Sequence, residues 1–125
     1  METELVLSTL RHTWILDLDG TIVKHNGYKI DRKDSFLPGA KEFLETIPND
    51  DFVIFLTSRK DEFKNITEQF LDANNIRYNQ IIYNAPYGER ILINDNKPSG
   101  LKMGIAVNKN RDEELRLKFH EDKSL

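Results

Sequence analysis

Short apolar runs separated by helix-sized intervals constrain this chain more than any other feature. Trp14 to Leu18 is the first run and Phe52 to Leu56 the second, the latter wholly apolar and rich in β-formers. Gln80 to Tyr83, Arg90 to Ile93 and Gly104 to Val107 follow. Runs of this length without polar alternation suit strands buried on both faces, as in a parallel sheet. Helical patterns lie between them. Pro38-Gly39-Ala40 opens one, with Phe43, Leu44 and Ile47 on one side and Pro48 as its stop. Lys60 to Asn74 is the best of them, because Phe63, Ile66, Phe70 and Leu71 recur at three to four residues. Asp112 to His120 is expected as a last helix, with Leu115 and Phe119 on one side. Strands alternating with helices predict an α/β fold, a three-layer sandwich around a mostly parallel, Rossmann-like sheet. The 125 residues fit a single domain spanning 1–125. Residues 22–37 are read as a short flap or loop within it, with no large cap.

In an open α/β sheet, ligands gather beyond the carboxyl ends of the strands. The first run reaches that end at Asp17 and Asp19, the second at Thr57, Ser58 and Arg59, the fourth at Asn94, Asp95 and Asn96. Joined at one edge, these groups make an oxygen-rich pocket of the kind magnesium takes, with waters and phosphate oxygens completing the shell. Each has a plainer reading. Asp19-Gly20 is also a hairpin signal, Thr57-Ser58 also a helix cap, and Asn94-Asp95-Asn96 also a turn. Asp17 is different, because a carboxylate interrupting an apolar strand carries a desolvation cost.

Composition narrows the partners. The formal charge is −3, and the basic residues are diluted by acids and amides, which disfavours a long nucleic acid. The chain has no cysteine, hence neither disulfides nor thiolate metal ligands. Its N-terminal residues lack a signal-peptide pattern and no apolar stretch is long enough for a membrane span, so a cytoplasmic protein is expected.

The run WILDLDGTIV resembles the first motif of the haloacid dehalogenase-like (HAD) superfamily, with Asp17, Asp19, Gly20 and Thr21 in its defining positions. FLTSR resembles the second motif, with Thr57 as the phosphate-binding hydroxyl, and ILINDNKPSG the acidic fourth motif, with Asp95 as metal ligand. LPGAKEFL is similar to the helix that leads into the second motif. The likeness covers about residues 13 to 108. The family's third motif supplies a Lys or Arg, often before a proline; here Ala85 precedes Pro86. Arg90 is the first substitute and Lys97 the second, with Lys60 and Lys64 also candidates.

The resemblance implies a small, capless phosphatase. Asp17 would attack phosphorus and form an aspartyl-phosphate, and Asp19 would act as acid and then base. Magnesium would be held by Asp17, the Asp19 backbone carbonyl and Asp95. Gly20, Thr21, Thr57, Ser58 and Arg59 would bind the substrate's phosphoryl group, and Asn96 would support the metal ligands. The expected substrate is a small phosphorylated metabolite, a sugar phosphate first. Lys24, His25, Asn26, Tyr28, Tyr87 and Glu89 are expected to stand over the pocket. A polynucleotide 3′-phosphatase, a phosphotransferase and a non-catalytic phosphate-binding module remain the alternatives. Homo-oligomerisation through Tyr28 and Ile30, or through Leu115 and Phe119, is a further expectation.

Overall fold

The computed structural model describes residues 2–125. Its elements are β1 (Thr3–Leu7), β2 (Thr13–Leu16), α1 (Gly27–Ile30), α2 (Ala40–Thr46), β3 (Phe52–Leu56), α3 (Lys64–Ala73), β4 (Gln80–Ile82) and β5 (Leu117–Glu121). One turn of 3-10 helix, Asp61–Phe63, leads into α3. Every strand pair is parallel. β2, β3 and β4 form one sheet in that order, and β1 pairs with β5 in a second. This is a small α/β fold with two parallel sheets and few helices.

The core follows from the strand register. Trp14 stands beside Val53, and Leu16 beside Phe55, which neighbours Ile81. These residues share one face and join Ala40, Phe43 and Leu44 of α2 and Leu71 of α3 in a single apolar cluster. Phe119 of β5 closes on it, 5.0 Å from the Trp14 ring between centroids. The opposite face of β2–β3–β4 carries Ile15, Phe52 and Ile82, all exposed. Gly39 has φ +81° and precedes α2; a Cβ there would run into the carbonyl of Leu115.

Several expectations change. β1 was not foreseen. The helix expected over Asp112–His120 is instead strand β5, because Leu115, Leu117 and Phe119 recur at two residues and turn inward together. The Leu115 and Phe119 side chains thus pack on the core. Arg90–Ile93 and Gly104–Val107 are not strands, and residues 88–108 are exposed apart from Leu101. Chain length gives the reason for the first of these. Only the seven residues Tyr83 to Glu89 separate β4 from Arg90, while a parallel crossover needs about a dozen or more. No helix among the described residues is long and apolar enough to cross a membrane.

Candidate functional site

Asp17 follows β2 directly, and the chain then turns sharply. The Leu18 carbonyl accepts hydrogen bonds from the amides of Thr21, Ile22 and Val23. Gly20, at φ +83°, makes the turn, with Arg111 packed where a side chain would begin. Thr21 donates from Oγ1 to Asp17 Oδ2 at 3.0 Å, while Arg90 Nη1 lies 3.3 Å from Asp17 Oδ1. Arg90 also approaches Ser58 Oγ at 3.4 Å. The nucleophile candidate is thus oriented on both oxygens and remains half-buried.

Arg59, at the end of the FLTSR segment, is a buried hub. Its Nε and Nη2 donate to the two oxygens of Asp19, each at 3.0 Å. Nη1 and Nη2 donate to Asp34 at 2.9 and 2.7 Å, and Nη1 also to Thr67 Oγ1 at 2.8 Å. All five guanidinium N–H groups are therefore used. The guanidinium carbon stacks 3.9 Å from the Tyr28 ring centroid. Burial alone would lower the Arg59 pKa, but the hydrogen bonds and charges of Asp34 and Asp19 outweigh it and hold the cation firmly protonated. The Tyr28 phenol is pushed up, first by burial and then by the charge of Asp19.

A cavity of about 440 Å³ opens above these groups. Asp17, Asp19, Ser58, Arg59 and Arg90 line it, together with His25, Asn26, Tyr28, Lys29, Tyr87, Gly88 and Arg111. Its floor is tied to the C-terminal part of the chain. Lys109 Nζ donates to the Gly20 carbonyl at 3.1 Å, the Asp112 amide donates to the same oxygen, and Asp112 accepts from the His25 amide at 2.8 Å. Burial lowers the Lys109 pKa.

The other expected site residues fall elsewhere. Thr57 is buried and accepts from the Arg59 amide at 3.1 Å, so its hydroxyl braces the turn. Asp95, Asn96 and Lys97 lie in the exposed 88–108 segment and do not line the cavity. Lys60 stands over the Tyr87 ring, and Lys64 begins α3. Lys24 pairs with Asp31, and Glu89 is exposed. Tyr28 is buried against Arg59 and Phe63, whereas Ile30 is exposed. Sequence reasoning missed Asp34, Lys109, Arg111 and Asp112. They sit in polar stretches without a motif, and only the fold brings them to the site.

The oxygen donors near Asp17 are few for a hard cation. Among the described residues, no group of three or more His, Cys, Asp or Glu is placed to hold a metal. Asp17 is accessible, and the Asp19 side chain is taken by Arg59. An ion here would rest on the Asp17 carboxylate and the Asp19 backbone carbonyl, with waters and phosphate oxygens completing its shell, as is usual for magnesium. The chain matches no protein-family model, no curated protein and no solved structure.

Proposed function

We propose that the chain is a HAD-like, magnesium-dependent phosphate-monoester hydrolase that works through an aspartyl-phosphate on Asp17. One observation carries the reading. Asp17 is an accessible carboxylate, oriented by Thr21 and Arg90, on the floor of a cavity ringed by Arg90, Arg111 and Lys29. A dianionic phosphoryl group needs cations around it and a nucleophile beneath it. The three-layer Rossmann-like sandwich and a cytoplasmic setting belong to the same proposal; the parallel order β2–β3–β4 and its one helix-packed face support the Rossmann-like sheet alone.

Asp17 attacks phosphorus and forms a new P–O bond as the ester oxygen leaves. That oxygen takes a proton from Asp19. Asp19 reaches this role only when one of its oxygens leaves Arg59, so Arg59 positions the acid and limits when it acts. Water then attacks the acyl phosphate, giving its proton to Asp19 and releasing inorganic phosphate. Arg90 and Arg111 carry the charge on the phosphoryl oxygens through both steps. Bound magnesium would add charge neutralisation there.

The test is phosphate release from an aryl phosphate, with and without magnesium, by wild type and by Asp17→Asn. The reading expects magnesium-dependent release that the substitution abolishes. Equal rates in the two proteins would remove Asp17 from the chemistry.

A further inference from the structure

Residues 90–107 form a projecting arm. Its two limbs run side by side, since a Cβ on Gly104 would meet Leu92 Cδ2 at 3.4 Å. Its tip is closed by the amide of Lys97 donating to the Leu101 carbonyl at 2.9 Å and that of Gly100 to the Lys97 carbonyl at 2.8 Å. Among the described residues, no other backbone group of the arm bonds the backbone of the protein. The arm is nonetheless apolar. Ile91 is 84% exposed and Ile93 92%, and Leu92, Met103, Ile105 and Val107 are exposed along it as well. So many exposed apolar side chains on an arm with unpaired backbone seldom stay in water.

The same chain carries a second open surface, the outer face of β2–β3–β4 with Ile15, Phe52 and Ile82. We propose that the arm of one copy docks on this face of a second copy, giving a two-fold dimer. Two copies present two arms and two faces, so one symmetric contact covers all four, as an isologous interface requires. The apolar surface exposed by these side chains in two copies is on the order of the roughly 1,600 Å² that a standard stable interface buries. The arm also leaves the body at Arg90, so an arm held by the partner holds Arg90 against Asp17.

The absence of cysteine makes the test clean. Ile15→Cys and Ile93→Cys are made as separate single variants, mixed and mildly oxidised, while light scattering follows the unmodified protein. Docking between copies predicts dimer mass and a disulfide joining the two variants in the mixture. Ile91→Asp with Ile93→Asp raises the dimer dissociation constant at least about a hundredfold. Both side chains are exposed in the single chain, so circular dichroism of this variant stays that of the wild type. Three results overturn the proposal. The wild type is a monomer at every concentration, the double Asp variant dimerises normally, or an Ile15→Cys/Ile93→Cys chain closes its disulfide within a monomer.

Discussion

Arg59 and Asp34 share two hydrogen bonds, at 2.7 and 2.9 Å, where neither side chain is more than 1% exposed. The pair anchors the 22–37 flap to the end of β3, and through Arg59 it fixes Asp19. Removing one partner of a buried pair leaves an uncompensated charge. Asp34→Ala is therefore expected to cost about 3–5 kcal/mol, read from the urea midpoint at constant slope. Asp31→Ala, which breaks an exposed pair with Lys24, costs at most about 1 kcal/mol. Equal losses in the two variants would mean that the flap is not held by this pair.

Asp51 predicts the acid limb of stability. It is buried and accepts from the Trp14 indole at 2.9 Å and the His12 amide at 3.1 Å. Burial alone would raise its pKa, but these bonds and the charge of His12 outweigh that and lower it. A lowered folded pKa stabilises the protein above the unfolded value and loses that contribution as pH falls through the folded one. Stability should therefore fall below about pH 4, the ordinary carboxylate range. Trp14, the sole tryptophan, reports it by fluorescence. Asp51→Asn should be less stable at neutral pH and flatter across the acid limb; an unchanged limb would assign acid sensitivity to other groups.

Arg90 and Lys97 separate by position. Arg90 touches Asp17, whereas Lys97 closes the arm's tip. Arg90→Ala is expected to lower kcat by about 10²–10³, the usual cost of losing one charge-stabilising donor. Lys97→Ala should leave kcat at the wild-type value. Steady-state kinetics on one aryl phosphate decides between them, and a larger loss with Lys97→Ala would reverse the assignment.

What the sequence made legible divides along physical lines. The runs Phe52–Leu56 and Gln80–Tyr83 and the helical repeat of Ile66, Phe70 and Leu71 encode their own elements, and β3, β4 and α3 stand where those patterns point. The burial expected on both sheet faces holds on one only, with Phe52 and Ile82 exposed on the other. Residues Arg90–Ile93 look equally strand-like, but a strand needs a neighbour, and run composition says nothing about whether the preceding loop can reach one. Leu115 and Phe119 fit a helical spacing only if Leu117 between them is ignored. At the site, Asp17, Asp19, Ser58, Arg59 and Arg90 line one cavity. The link from Asp34 to Arg59 spans 25 residues of chain and was invisible until the flap had a conformation.

The substrate is expected to be small. His25, Asn26 and Tyr87 line the cavity, which at about 440 Å³ is within the range of small-molecule sites. A phosphate-release screen over sugar phosphates, nucleoside monophosphates and a 3′-phosphorylated oligonucleotide should give the highest kcat/KM with a sugar phosphate. Preference for the oligonucleotide would recast the cavity's cations as a clamp on a nucleic-acid end.

Catalysis through Asp17 requires a covalent bond between its carboxylate and phosphorus, and that bond can be trapped. The protein is mixed briefly with an aryl phosphate, quenched in acid and reduced with borohydride, which converts an acyl phosphate to the alcohol. Peptide mass spectrometry then locates the change. Homoserine at position 17, found only when substrate is present, is the expected result. Steady phosphate release with position 17 left as aspartate, or with the change at another carboxylate, would contradict it.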